Sequence, residues 1–353
     1  MSLTRERLVA MVRGGEPVMR FDLSGADLSG VDLSGAIFEE VSLRGAALRG
    51  ARFDEALLCA VDLSGADLTD ATLRHAVVEA SALGGAVLRG ADLTDAKVHK
   101  SSLTDVSLVG ATLGITAFVA SDLTRVSFAG NTLDRTVIAA CVTEALDLTG
   151  CELKQVVFSG SDLRAARLGE TRATRAVLHQ CNLAGQALAG VQWRQVQLYE
   201  ANLTHAVLRG AALHGCGFGD ADLTRADLTG AAIPQGFFAK AKLGEARFDD
   251  AILEGAIFTE AEAPRASFVR ARMAQAIFQR AKAESARFTG ADLTYVDFTH
   301  ADLSAGDFTH ATLFRTRLHG AVTHGAAFGP ERALALGDDP EQAEAETWVR
   351  RPR

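Results

Sequence analysis

Nine histidines, five cysteines and a regular run of aspartates are the residues of this chain that could do chemistry. Paired histidines could hold a metal ion or move protons near neutral pH. Cysteines could form disulfides or reactive thiolates, and paired carboxylates could share acid and base roles. The spacing argues for none of these. There is no C-x-x-C, no H-E-x-x-H and no Walker loop. The stretch Gly215-Cys216-Gly217-Phe218-Gly219 is glycine-rich, but it lacks the strand-then-helix setting that a phosphate loop needs. All these residues keep a fixed phase within one short repeat, so that repeat decides where each of them points.

Every fifth residue from Leu23 to Phe328 is built for an interior. Of these 62 positions, 51 are Leu or Phe; the others are Ile, Val, Met, Trp or Ala, apart from Thr143 and Thr323. A small residue, most often Ala, recurs two places earlier. A period of five suits neither an amphipathic helix nor a long alternating strand. Two inward residues two apart do share one face of a short extended segment, and the Gly, Ser, Asp, Asn and Thr between them suit a corner. From Phe238 to Phe308 a Phe recurs every ten residues, with Leu243, Leu253, Ala263, Met273, Ala283 and Leu293 between. If four units make a coil, residues twenty apart stack. The rings then form two opposing columns, balanced by smaller side chains on the other diagonal, as a cross-section of constant volume requires. Ala173 and Trp193, also twenty apart, fit the same account: a truncated centre beside an enlarged one.

Units such as Ala26-Asp27-Leu28-Ser29-Gly30, Ala66-Asp67-Leu68-Thr69-Asp70 and Ala226-Asp227-Leu228-Thr229-Gly230 closely resemble the pentapeptide repeat family, and the resemblance runs over residues 21–328. Departures such as Tyr295, which follows Ala291-Asp292-Leu293-Thr294, fall at outward positions. The resemblance implies an all-β fold, a right-handed quadrilateral parallel β-solenoid of about fifteen coils with one unit per side. Residues 1–20 are expected to form a helical cap, with Thr4 as N-cap, Leu8, Val9, Met11 and Val12 on its apolar face, and Gly14-Gly15-Glu16-Pro17 ending it. Residues 329–353 are expected to be a C-terminal cap or tail, helical or disordered, with short helices at 331–336 and 341–348 and Gly337-Asp338-Asp339-Pro340 between them. Trp348 is expected to dock on the last coil and Arg350-Arg351-Pro352-Arg353 to fray.

In this register Cys141, Cys151, Cys181 and Cys216 point inward and Cys59 follows a centre, so all five read as reduced core fillers. All nine histidines fall at outward positions and read as solvated. His300 and His319 lie on adjacent coils of one side, with His310 and His324 nearby; that spacing allows a weak metal contact, but solvated surface histidines are the expected reading and no metal site is expected. Asp22, Asp27, Asp62, Asp67, Asp92, Asp122, Asp162, Asp222 and Asp302 precede centres and read as corner caps rather than catalytic acids. No catalytic, cofactor-binding or metal residues and no cofactor are expected, so the chain does not read as an enzyme.

What remains is surface. Ile37, Leu57, Val77, Val137, Val157, Val177, Phe237, Ile257 and Ile277 differ by multiples of twenty and form an apolar column, a candidate partner or dimer face. Lys154, Arg172, Arg175 and Arg194 gather around Trp193 as a modest basic patch. The net charge is −8, with −7 of it in residues 1–150. No apolar run spans a membrane and no signal peptide is apparent, so a cytoplasmic protein is expected. The expected function is a non-enzymatic scaffold that offers flat faces to a protein partner or a second copy of itself, without direct nucleic-acid or membrane binding. The family resemblance implies two alternatives: a DNA-mimicking binder of type II topoisomerases such as gyrase, protecting against quinolones or toxins, and an accessory or effector-loading component of a bacterial secretion system.

Overall fold

A computed structural model describes residues 3–347. The chain forms two units, one ending at Gln186 and the next beginning at Ala187, and within each the backbone pairs in parallel at an offset of twenty residues. In the first unit, four ladders run through Asp22↔Ser42, Asp27↔Ala47, Asp32↔Arg52 and Ile37↔Leu57. In the second, the four run through Asn202↔Asp222, Val207↔Asp227, Ala212↔Ala232 and Gly217↔Phe237. Ladders five residues apart with a repeat of twenty are four sides of one coil, so each unit is a parallel β-solenoid. The two units together hold about 16 turns, slightly more than the repeat alone suggests. Pairing begins before Leu23, at Val18↔Phe38, and runs past Phe328, where the Leu318 N–H donates to the Leu336 carbonyl at 2.9 Å.

Each side is too short for more than two or three extended residues, because a corner follows at once. The turn closes with a bond such as Ala26 N–H to the Leu23 carbonyl (3.1 Å), and the next side bonds to neighbouring coils, as Leu28 N–H does to the Ala47 carbonyl (2.8 Å). One side of the first unit is more regular. Its strands Ile37–Glu39, Leu57–Cys59, Val77–Glu79, Lys97–His99, Ala117–Val119, Val137–Ala139, Val157–Ser159 and Val177–His179 join Val18–Met19 in a nine-stranded parallel sheet.

The corners carry the aspartates. Oδ1 of Asp22, Asp27, Asp62, Asp67, Asp92, Asp122, Asp162, Asp222 and Asp302 each accepts the backbone N–H two residues on, at 2.9–3.2 Å. In Asp67 and Asp92 it also accepts the following threonine hydroxyl. At Asp62 and Asp67 these side-chain hydrogen bonds are the main cause holding the carboxyl below its ordinary range. At Asp92 and Asp122 partial burial opposes the shift, but the bonds from Thr94 and Thr124 outweigh it. The last residue of most units has a positive φ, filled by Gly where one is present and otherwise by whatever the repeat supplies, including Ile115 at φ 61°.

The centres fill the interior. In the second unit, Phe238 stacks on Phe258 at 4.7 Å with planes 2° apart, and Phe248 on Phe268 at 5.0 Å and 7°. Between the two columns the rings meet edge to face, as Phe248 does Phe258 at 6.1 Å and 90°. The columns therefore face each other across the interior. At four inward small positions that are polar, the side chain reaches a centre's carbonyl 23 residues back: Thr116 to Leu93, Asn131 to Leu108, Thr136 to Leu113 and Thr316 to Leu293, all at 2.7–2.8 Å. That carbonyl has a second lone pair to offer, so these burials leave nothing unpaired.

At the N-terminus, α1 (Arg5–Arg13) is capped by Thr4, whose Oγ1 accepts the Arg7 N–H, and it buries Leu8. At the other end a 3₁₀ turn, Pro330–Leu334, precedes α2 (Pro340–Thr347). The expectations for Trp348 and for residues 350–353 lie outside the described residues. Among the described residues no helix is long and apolar enough to cross a membrane.

Two outcomes follow. A β-branched side chain at positive φ is strained, so Ile115→Gly is expected to stabilise the first unit by about 1 kcal/mol, read as a higher urea midpoint. Asp62, Asp67, Asp92 and Asp122 have depressed pKa values in the folded chain, so their contribution is present above the unfolded value of about 3.9 and is lost as pH falls through the lower folded values. The midpoint should therefore drop below roughly pH 4. Replacing Asp62, Asp67, Asp92 and Asp122 by Asn, which keeps an acceptor but cannot titrate, should flatten that drop.

Candidate functional site

Most residues that could do chemistry are occupied by the architecture. Of the inward thiols, Cys151, Cys181 and Cys216 are buried and Cys141 is half-buried; burial pushes Cys151 and Cys181 up to about 11 and Cys216 to about 12. These thiols stay protonated and unreactive near neutral pH. In the glycine-rich stretch, Cys216 points inward with Sγ toward the Trp193 carbonyl. A Cβ at Gly217 or Gly219 would run into Gln197 or Tyr199 of the preceding coil, so these glycines make room for side chains, not for a phosphate.

The expected apolar column is in register. Ile37, Leu57 and Val77 pair in series, as do Val137, Val157 and Val177 in the same unit and Phe237, Ile257 and Ile277 in the second unit. Ile37 is 43% exposed and Leu57 38%, while the valines half-cover one another. The expected basic patch divides. Lys154, Arg172 and Arg175 belong to the first unit and Arg194 to the second, all exposed, and Lys154 pairs with Glu152 at 3.0 Å.

Two surface features lie beyond that reading. Tyr199 and Phe237 lean together over the bare glycines, ring centres 6.2 Å apart; the signal was two unpatterned aromatics flanking glycines at the same column. The second is a groove of about 640 Å³ lined by Cys141, Val142, Thr143, Glu144, Gly160, Asp162, Arg164 and Ala165. Here Val142 pairs back to Asp122, but among the described residues it forms no bridge forward to Asp162. Instead the Thr143 hydroxyl donates to the Asp162 carbonyl at 2.7 Å. Thr143 was visible as an off-pattern centre, though its effect on the ladder was not.

One expectation fails: not every histidine is solvated. His319 is only 5% exposed, because the C-terminal segment folds back over it. Its Nδ1 accepts the Asp339 N–H at 3.0 Å, and its Nε2 lies 3.3 Å from Glu346 Oε2 on α2. His300 Nε2 lies 3.1 Å from Glu346 Oε1, and Gln342 donates to the same oxygen at 2.9 Å. The Gln342 amide and then the imidazoles hold the Glu346 carboxyl down at about 2, fully ionised. The His300 and His319 pairing was legible from their adjacent coils; the carboxylate that joins them was not.

A family model for pentapeptide repeats matches overlapping stretches that span residues 21–110, 146–230 and 241–320. Similar solved structures include QnrB1, a plasmid-mediated fluoroquinolone resistance protein, at 18% identity over 66% of this chain and 98% of that one, TM-score 0.27. They also include HetL of the cyanobacterium Nostoc, involved in heterocyst differentiation regulation, at 21% identity over 84% and 98%, TM-score 0.19. A third is a pentapeptide repeat protein of the Arabidopsis thaliana thylakoid lumen, at 21% identity over 30% and 78%, TM-score 0.25. No curated protein matches the chain. The family model covers well over half the residues and falls on the same five-residue units that build the coils: the chain belongs to the pentapeptide repeat family, a class of repeat scaffolds that is generally non-enzymatic.

Proposed function

We propose that this protein is a non-enzymatic interaction scaffold whose partner is another protein, held on the flat sheet side of the first unit. The observation that carries this reading is the composition of that side. From Ala117 to His179 its outward strand positions are Ala117, Val119, Val137, Ala139, Val157, Ser159, Val177 and His179, with no fixed charge among them. A small, flat, uncharged surface on a rigid ladder loses little entropy on binding, and it has the apolar character of an interface core. The other sides are studded with ion pairs. Many aspartates are used at corners, and three of the five thiols are buried.

A DNA-mimicking role against a type II topoisomerase has the −7 charge of residues 1–150 in its favour. Many of those acids, however, sit beside arginines of neighbouring coils: Arg20–Glu40, Arg49–Asp67, Arg74–Asp92 and Arg125–Asp105 pair at 2.5–3.2 Å. A surface of alternating sign is a poor imitation of a phosphate backbone, which has only one.

Val157→Lys places a charge in the middle of the uncharged side, and Ile257→Lys does the same to the apolar column of the second unit. Light scattering of the purified chain, and recovery of protein partners from its native cell, are expected to show self-association or partner capture lost with Val157→Lys and kept with Ile257→Lys. Unchanged mass and unchanged capture in both variants would remove this reading. In a gyrase supercoiling assay no inhibition is expected at large excess; inhibition near stoichiometry would favour the DNA mimic instead.

A further inference from the structure

We propose that His300, His319 and Glu346 form a binding site for one divalent transition-metal ion of the zinc class, which ties the C-terminal helix to the coils beneath it. One ligand atom of each residue lies within 4.8 Å of those of the other two. Two imidazoles and a carboxylate are the donor set that borderline ions such as Zn²⁺ and Co²⁺ prefer. An ion about 2.0–2.2 Å from each donor fits among them after a small closing of the triangle. The two histidines are brought together by stacking of adjacent coils, so the rigid half of the site exists before any ion arrives. α2 supplies the third ligand, already ionised.

The surroundings are built for the rings. Gly320 has φ +61°, and a Cβ there would overlap His300 Nδ1; the bare glycine lets the ring lie against the coil. His319 is held in its buried place from the other edge by the Asp339 N–H. Without an ion, that bond makes Nδ1 of His319 the acceptor and Nε2 the protonated nitrogen, which donates to Glu346. Binding through Nε2 therefore needs the ring proton on Nδ1. Asp338 Oδ1, 3.8 Å from that nitrogen, is the acceptor positioned to take the new N–H, giving the carboxylate–histidine–metal arrangement that orients such ligands. The Asp339 N–H is displaced in the exchange. With three protein ligands, a fourth position is left to water.

Calorimetric titration of the full chain with ZnCl₂ is expected to give one saturable site per chain. His300→Ala, His319→Ala and Glu346→Gln should each weaken it by about 100-fold or more, whereas His99→Ala, which removes a histidine that lies beside Glu79 in the first unit, should leave it unchanged. Hydrogen exchange over residues 338–347 should slow on adding Zn²⁺ to the parent chain and not to the His300→Ala variant, and unfolding midpoints confirm that each variant is folded. Absence of saturable Zn²⁺ binding to the parent chain would overturn the proposal. So would binding that survives His319→Ala or Glu346→Gln.

Discussion

Along every side of these coils, backbone N–H and carbonyl groups find partners in the coil before or after, apart from the one bond that closes each corner. Ser102 N–H donates to Ser81 and the Ser102 carbonyl accepts from Leu83, at 2.9 and 2.7 Å. A buried backbone group left unpaired costs about as much as a lost hydrogen bond, so each coil depends on the next having the same length and corner geometry. That requirement explains why the five-residue phase holds through substitutions at nearly every other position. It also explains why corner residues as unsuited as Ile115 accept a left-handed backbone: the ladders on both sides fix the turn, and the side chain must follow.

The same constraint stacks like upon like. A column of centres becomes a stack of rings where the sequence supplies Phe. A column of outward residues becomes a row of ion pairs where it supplies opposite charges, as with Arg225, Glu245 and Arg265, whose charged groups meet at 2.8–3.0 Å. Each such exposed pair contributes little to stability, but together they decide which sides present charge. Where neither charges nor large side chains fall in register, as on the sheet side around Val137 and Val157, the ladder leaves a plain surface. Such a surface is a by-product of periodicity before it is a binding site, and it can be altered without disturbing the core beneath.

Features that repeat were legible from the sequence, because a repeating environment needs only one correct reading of the register. The opposing columns of Phe238 to Phe308, the corner role of Asp67 and Asp92, and the inward cysteines all followed from phase alone. Features that arise from a single break in phase were not. Thr143 could be seen to be out of place, but whether its hydroxyl would be satisfied within its own coil or by the next depends on how far the two coils separate. His319 keeps the outward phase and would be solvated on any interior coil. It is buried because a segment without repeat character folds back on it, and periodicity has nothing to say about where such a segment goes.

The two described ends meet the loss of a neighbouring coil with different chemistry. At the N-terminus α1 buries Leu8 completely and Arg5 donates to the Ser29 carbonyl at 2.8 Å. That cover is held by apolar contact and is insensitive to ions. At the C-terminus the strand-like stretch to Leu336 satisfies one ladder, yet Val322 and Leu336 remain about half exposed. α2 buries no residue of its own and is held by polar bonds through Asp338, Asp339 and Glu346. Hydrophobic cover is non-directional and tolerates small shifts, whereas a carboxylate shared by two imidazoles is directional and answers to whatever competes for the ring nitrogens. The helix that contributes least to the core is thus the element whose position a bound ion can most readily set.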